Sequence, residues 1–148
     1  MMSAVMTRRF TLAIAVMALA GAVVSSVSLY HHYGTSATSY CDIGENFNCD
    51  IVNRSTYSTI AGVPVAMVGI AGYLTVLALA TLYRHQPAAT AMLAIGSLTG
   101  LAFAIYLTYI EGFVLAAWCI LCLSSLALIS SIAVLSSVLW AHSARRVD

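Results

Sequence analysis

Two cysteine pairs of different spacing are the residues of this sequence best suited to chemistry. Cys119 and Cys122 stand in the apolar run "AAWCILCLSS", whereas Cys41 and Cys49 stand in the polar stretch "YCDIGENFNCD". A close C-x-x-C pair favours the reactive thiolate, and disulfide exchange proceeds by attack of one sulfur on another. Two such pairs could therefore pass two electrons between a polar compartment and an apolar one.

Other uses of the cysteines are open. Four cysteines can hold zinc, although zinc pairs are usually closer in sequence than Cys41 and Cys49. Free cysteines also pack as small apolar side chains, as in a structural membrane protein with inert thiols, and a loop disulfide can be purely structural. The redox interpretation accounts for both pairs. We therefore predict that Cys41, Cys49, Cys119 and Cys122 are catalytic and that no metal is bound.

The composition is that of a membrane protein. The chain has 148 residues, of which 61% are hydrophobic and 7% are charged, whereas about a quarter of the residues of a soluble domain are charged. A chain this short cannot bury so much apolar surface in a water-soluble core. The formal net charge of +1 offers no basic surface for nucleic acid.

Four stretches are long and apolar enough to cross a bilayer, which takes roughly 20 residues. The predicted spans are about residues 10–30, 63–83, 88–110 and 114–140. Short connections between the later spans predict an all-α membrane protein, a four-helix bundle in one domain over residues 1–148. The long connection, residues 31–62, is predicted to contain a short lid helix over residues 50–60.

The placement of the charged residues predicts the orientation. One side holds both termini and five of the six basic residues, Arg8, Arg9, Arg84, Arg145 and Arg146. The other side holds Arg54 and most of the acids, Asp42, Glu45, Asp50 and Glu111. Since positive charge favours the cytoplasmic side, we expect cytoplasmic termini, an inner (plasma) membrane location and extracytoplasmic cysteine pairs. Glu111 is expected to be a solvated loop charge.

The N-terminal segment has a second interpretation. Arg8 and Arg9, followed by an apolar stretch and "ALA", also fit a cleavable signal peptide. The apolar run continues through "GAVVSSVSLY", however, which is long enough for a retained span. We therefore prefer the retained helix.

The C-x-x-C spacing suggests a division of labour between its two cysteines. Residues at i and i+3 share a helix face, so a continuous fourth helix would place Cys119 at the water-facing entrance and Cys122 one turn deeper. We expect Cys119 to exchange with a loop cysteine and Cys122 to meet a lipid-soluble electron carrier.

The chain resembles the vitamin K epoxide reductase family in its bacterial form. The resemblance rests on "CDIGENFNC" in the first loop, "NRSTYSTIAGVPVAMVGIAGY" leading into the second span, and "WCILC" at the fourth span. It includes a serine, Ser55, six residues beyond Cys49, and it covers nearly the whole chain outside the termini. The disulfide-bond formation protein B family shares the four-helix plan and quinone chemistry. It ranks second because its close cysteine pair lies in its first loop.

The resemblance implies a quinone-dependent enzyme that oxidises protein thiols outside the cytoplasm and supports disulfide bond formation. By family roles, Cys41 would meet the partner and Cys49 would pass the exchange to Cys119. Cys122 would reduce the quinone, which could be ubiquinone, menaquinone or a phylloquinone-like molecule. Many bacterial members carry a fused thioredoxin-like domain. Because this sequence stops at Asp148, a separate thioredoxin-like protein is the expected partner.

The quinone site is predicted beside Cys122. Its other expected residues are Ser55, Tyr57, Val65, Val68 and Leu126. The family's vitamin K reductases place a tyrosine four residues after the last active cysteine and an asparagine near the start of the second helix. Here Leu126 and Val65 stand at those positions, so vitamin K epoxide is not a required substrate.

Overall fold

The computed structural model describes residues 3–34, 41 and 43–145. It is mostly helical. The elements, in chain order, are α1 (Ala4–Tyr33), α2 (Cys49–Asn53), a 3₁₀ turn (Thr56–Ser58), β1 (Thr59–Ile60), β2 (Val63–Pro64), α3 (Val65–Thr81), α4 (Ala89–Ile110), a π-helical turn (Glu111–Leu115) and α5 (Ile120–Ala144). Asp42 and Arg146, both used in the charge argument, lie outside the described residues.

The described residues include three helices that are long and apolar enough to cross a membrane. They are α1, α5, and α4 together with its π-helical turn, which spans Ala89–Leu115. The helix α3 is also apolar but has 17 residues, somewhat fewer than the roughly 20 that usually cross the hydrocarbon core. The described part of the chain therefore has three candidate membrane spans and one shorter apolar helix, as expected for a membrane protein.

The helix α1 packs closely against α3 and α5 because its buried side consists largely of small residues. These are Ala15, Ala18, Gly21, Ala22, Ser25 and Ser28. Small residues allow helix backbones to approach each other in a membrane, where lipid tails compete with apolar side chains for contact. At Gly21 the ring of Tyr73 occupies the space that a Cβ would need.

Tyr73 joins α3 to α5. Its side chain is buried, and its hydroxyl lies 2.9 Å from the backbone oxygen and 2.8 Å from the side-chain oxygen of Ser125. A buried tyrosine hydroxyl needs such a partner. The ring is thus fixed by Gly21 of α1 on one side and by Ser125 of α5 at its tip.

A tight hairpin leads into α3. The strands β1 and β2 pair antiparallel, and Ala61 and Gly62 form the turn with positive φ angles of 51° and 82°. Two-residue hairpin turns use such left-handed residues because they match the twist of the strands. The second span, expected from residue 63, therefore begins at Val65 after the strand ends at Pro64.

The helix α5, predicted as the fourth span from about residue 114, begins later than predicted. The chain continues α4 through the π-helical turn to Leu115 and then takes a left-handed conformation at Ala116, with φ 49°. The helix α5 starts at Ile120, so Cys119 precedes it. The prediction that Cys119 and Cys122 share the face of one continuous helix was wrong. The sequence concealed this break because residues 113–118 are all apolar.

The segment predicted as one lid helix, residues 50–60, is divided into three short elements. The helix α2 ends at Asn53, and the 3₁₀ turn and β1 follow. Asn48 starts α2 by accepting the N–H of Ile51 on its side-chain oxygen at 3.0 Å, as asparagine does at helix N-caps. Ser55 separates the first two elements, and its hydroxyl donates to the backbone oxygen of Val52 at 2.8 Å.

We predict that Gly21→Ala lowers the stability of the protein, because the new methyl group would displace the fixed ring of Tyr73. Overpacking of this kind costs about 1–3 kcal/mol. The measurement is the thermal unfolding midpoint of the detergent-solubilised protein. Gly72→Ala is the matched control, since a Cβ at Gly72 would meet nothing within 4 Å. Equal midpoints for the two variants would contradict the proposed contact.

Candidate active site

The structure brings the loop cysteines to the start of α5. Cys41 and Cys49 form a disulfide, and the sulfur of Cys119 lies 3.3 Å from the sulfur of Cys49. The three sulfurs lie within 4.8 Å of one another. All three residues are buried. Cys119 is therefore within contact distance for exchange with Cys49.

Backbone pairing between the loop and Trp118 sets this distance. The N–H of Trp118 donates to the oxygen of Asn46 at 2.8 Å, and the N–H of Asn48 donates to the oxygen of Trp118 at 3.0 Å. Cys49 directly follows Asn48, and Cys119 directly follows Trp118. The two hydrogen bonds therefore place the two cysteines side by side.

The end of α1 holds α2 from another direction. The Nδ1 atom of His31 lies 3.2 Å from a carboxylate oxygen of Asp50, and Nδ1 of His32 contacts the backbone oxygen of Asn53. The guanidinium of Arg54 donates to backbone oxygens at the end of α1. A positive charge is favourable there because the last carbonyls of a helix lack intrahelical partners. This contact accounts for Arg54, the single arginine that the charge argument placed on the extracytoplasmic side.

Asn53 is a site residue that sequence reasoning missed. It is buried, and its side-chain amide donates to the backbone oxygen of Cys49 at 2.9 Å and to the sulfur of Cys119 at 3.7 Å. A donor of this kind stabilises a thiolate. Its only sequence signal was its position four residues after Cys49, one helical turn away.

The C-x-x-C pair spans the start of α5. Cys119 is the N-cap residue, and Cys122 lies in the first turn. The pKa of Cys119 is lowered chiefly because the thiol of Cys122 donates a hydrogen bond to its sulfur; the first backbone amides of α5 act in the same direction. Burial and the charge of Glu111 oppose the shift. A lowered pKa favours the thiolate that attacks a disulfide.

Glu111 is buried in the site, so the prediction of a solvated loop charge was wrong. Its side chain is 2% exposed, and its Oε2 atom accepts the N–H of Cys119 at 3.1 Å. Its Oε1 atom is buried without a hydrogen-bond partner among the described residues. The acid is enclosed because the chain continues through the π-helical turn and reverses only at Ala116.

A cavity of about 330 Å³ lies beside Cys122. Among its lining residues are five that the sequence placed in the quinone site, Ser55, Tyr57, Val65, Val68 and Cys122. Leu126 is not among the lining residues, and Ser125 and Ile129 line that side of α5 instead. Of the two α5 residues predicted at the quinone site, Cys122 therefore lines the cavity and Leu126 does not.

The walls of the cavity are typical of a small-molecule site. Ligand sites are typically of this size, mostly apolar, and supplied with a few polar groups. The helix α1 contributes Val24, Ser25, Ser28 and His32, none of which was predicted at the site. Gly72 and Gly96 also line it, and a side chain at either would enter open space. Glycine at these positions therefore enlarges the cavity.

The model of the vitamin K epoxide reductase family matches residues 12–137. The chain belongs to this family. A search among curated proteins finds no match. The matched region contains all four cysteines and most of the helical elements, and the resemblance found in the sequence is thus confirmed. Membership in the vitamin K epoxide reductase family makes the protein a membrane oxidoreductase and implies thiol–disulfide chemistry.

The zinc alternative can be compared with this geometry. Within the described part of the chain, the one cluster able to hold a metal consists of Cys41, Cys49 and Cys119. Two of these sulfurs are joined in a disulfide, and zinc is bound by thiolates. The cluster as it stands is therefore suited to exchange, as expected for the vitamin K epoxide reductase family.

We predict that Cys122→Ala raises the pKa of Cys119, because it removes the thiol that donates to the Cys119 sulfur. The thiolate fraction at neutral pH then falls by about tenfold for each pKa unit. Alkylation of Cys119 slows by less, about threefold for each unit, because a thiolate of higher pKa is the stronger nucleophile. The measurement is the rate of iodoacetamide alkylation against pH, in protein whose two loop cysteines are replaced by serine.

Cys122→Ser is the matched control for this experiment. Its hydroxyl can still donate to the Cys119 sulfur, so its alkylation profile should lie between those of the native and Ala proteins. Superimposable profiles for the three proteins would refute the role of the hydrogen bond.

Proposed function

We propose that this protein is a quinone-dependent thiol–disulfide oxidoreductase. It passes electrons from the thiols of an extracytoplasmic partner, through its two cysteine pairs, to a membrane quinone, and thereby supports disulfide bond formation. The observation that carries the proposal is the 3.3 Å contact between the sulfurs of Cys49 and Cys119. It joins the loop disulfide to the pair that borders the cavity.

The proposed relay consists of two disulfide exchanges within the chain. Thiols of the partner first reduce the Cys41–Cys49 disulfide. The Cys49 thiolate then attacks the sulfur of Cys119 in an oxidised Cys119–Cys122 pair, which forms a Cys49–Cys119 bond and releases the Cys122 thiolate. Attack by Cys41 on Cys49 restores the loop disulfide and leaves Cys119 and Cys122 reduced. Two electrons have then moved from the loop pair to the pair at α5.

The cavity beside Cys122 is the proposed quinone site. Ser55, Tyr57, Val65 and Val68 line it together with Cys122, and they would hold the ring near the cysteine sulfur. A bound quinone supplies an acceptor for two electrons and two protons, while the protein supplies orientation and protection from water. The lining residues do not discriminate ubiquinone from menaquinone.

The proposed topology is a four-span bundle in one domain, with both termini in the cytoplasm of the inner membrane. The helix α3 lies along α1, and 17 residues reach the lower limit of spanning helices. A hydrogen bond of 3.1 Å between Thr90 and Ser143 joins the start of α4 to the end of α5. This end of the molecule is opposite the cysteines and lies beside Arg84 and Arg145, which supports the orientation.

The proposed partner is a separate thioredoxin-like protein that exchanges with Cys41. The exchange requires a thiol that can displace one member of the loop disulfide. Since Cys41 is 2% exposed in the oxidised pair, the loop must open for a partner sulfur to reach it. A loop that opens only when the partner binds would shield the cysteines from small oxidants at other times.

We predict that the purified protein reduces a short-chain quinone with a reduced dithiol protein as the electron source, and that Cys119→Ala and Cys122→Ala abolish turnover. Each substitution removes one sulfur of the pair that borders the cavity. The measurement is the loss of quinone absorbance. Ser124→Ala is the matched control, because Ser124 lies in the same turn of α5 but does not line the cavity. Full turnover in either cysteine variant would overturn the proposal.

We also predict that a Cys49–Cys119 disulfide accumulates in Cys122→Ala. Cys119 lies against Cys49 and can displace Cys41 from the loop disulfide, whereas Cys122 is no longer present to compete for it. Peptide mapping under non-reducing conditions would identify the link. The double variant Cys119→Ala/Cys122→Ala is the control and should retain only the Cys41–Cys49 bond. A dominant Cys41–Cys119 link would reverse the roles of the loop cysteines.

A further inference from the structure

Glu111 is the one carboxylic acid among the described residues that line the cavity beside Cys122. One of its oxygens has a defined task, since Oε2 accepts the N–H of Cys119. The other, Oε1, is buried without a hydrogen-bond partner in the described part of the chain. Glu111 and Cys122 line the same cavity. The relay described above gives this acid no role.

A buried carboxylate oxygen without a partner is costly, because its charge has lost the hydrogen bonds of water. Such an oxygen at an enzymatic site is a candidate proton acceptor, provided that it lies near the proton to be moved. In the resting reduced pair, the thiol of Cys122, which donates to the sulfur of Cys119, carries such a proton. Cys122 can act as a nucleophile only after that proton has left.

We propose that Glu111 is the proton acceptor for Cys122 and relays the proton toward the cavity during quinone reduction. This inference rests on the proposed function, because it assigns the proton path of that same reaction. Glu111 is then a catalytic residue, since its carboxylate acts on the reacting thiol. Its second oxygen anchors the backbone of Cys119 and keeps the carboxylate in place.

The proposed step balances in protons and electrons. Oxidation of the reduced pair breaks the S–H bonds of Cys119 and Cys122 and forms one S–S bond between them. Two electrons and two protons leave, and the quinone is the oxidant that finally receives them. Glu111 binds the proton of Cys122 and gives it up again in the same turnover, so it returns to its initial state.

Most of the other titratable groups near Glu111 already have hydrogen-bond partners. Among the described residues, the other titratable groups that line the cavity are His32 from α1, Tyr57 from the 3₁₀ turn, Tyr73 from α3 and Cys122 from α5. The ring of His32 contacts the backbone oxygen of Asn53, and the hydroxyl of Tyr73 is bonded to Ser125. Cys119, with Cys49 behind it, faces the other oxygen of Glu111. Glu111 therefore carries the unpartnered acceptor.

The deciding comparison is between Glu111→Gln and Glu111→Asp. Glutamine keeps an acceptor for the N–H of Cys119 but cannot take up a proton, whereas aspartate can take up a proton but reaches less far. A purely structural role predicts that Gln restores function better than Asp. The proposed role predicts the reverse order. Glu45→Gln is the matched control, because Glu45 is an exposed acid outside the cavity.

The first measurement needs no quinone. The rate of N-ethylmaleimide reaction at Cys122 is followed against pH in fully reduced protein, and the products are located by peptide mass. We expect the native rate to level off at acidic pH while Glu111 still accepts the proton. In Glu111→Gln it should keep falling, to at least about tenfold below native at pH 6. An equal or faster rate in Glu111→Gln would refute the inference, because loss of a negative charge alone makes a thiol more reactive.

The second measurement is single-turnover reduction of quinone by the pre-reduced protein. Loss of a general base typically costs 10²–10⁴-fold, so we expect Glu111→Gln to slow by about 100-fold and Glu111→Asp to retain part of the rate. If the native protein reduces quinone and Glu111→Gln does so at the same rate, the proton role of Glu111 is refuted but the proposed function is not. Absence of quinone reduction by the native protein would instead refute the proposed function, and the alkylation profiles would still decide the role of Glu111.

Discussion

The site depends on two backbone hydrogen bonds between Trp118 and the loop residues Asn46 and Asn48. They join a polar loop to the start of a membrane helix, and they do so one residue before the cysteine on each side. Backbone pairing of this kind is insensitive to side-chain type, so it can fix a sulfur–sulfur distance while the loop sequence varies. The contacts between α2 and the end of α1, through His31, His32 and Arg54, hold the same loop at a second place.

The break between α4 and α5 determines where Cys119 lies relative to Cys122. A continuous helix would have placed both cysteines inside it, with their sulfurs directed only by helical periodicity. The left-handed turn at Ala116 instead leaves Cys119 as the N-cap of α5, where the first backbone amides favour its thiolate. The same reversal encloses Glu111 beside the pair. One local departure from helical geometry thus brings Cys119, Cys122 and Glu111 together.

A few fixed contacts set the positions of the helices around the cavity, and glycines leave the space between them. Tyr73 is positioned by the absence of a side chain at Gly21 and by its hydrogen bonds to Ser125. Glycines at 72 and 96 leave open space on the walls. In a membrane, where apolar side chains gain little from facing each other rather than lipid, such close contacts and buried hydrogen bonds define the arrangement.

The membrane character, the family and the presence of two cysteine pairs could be predicted from the sequence alone, because apolar runs and cysteine spacing are local properties of the chain. Val65 and Val68, which the sequence placed beside Cys122, do line the cavity. The sequence did not yield the helix break at Ala116, the burial of Glu111 or the part played by Asn53. Each of these depends on what lies across from a residue in space, and an apolar stretch or a single polar residue looks the same in sequence whether it faces lipid, water or a sulfur atom.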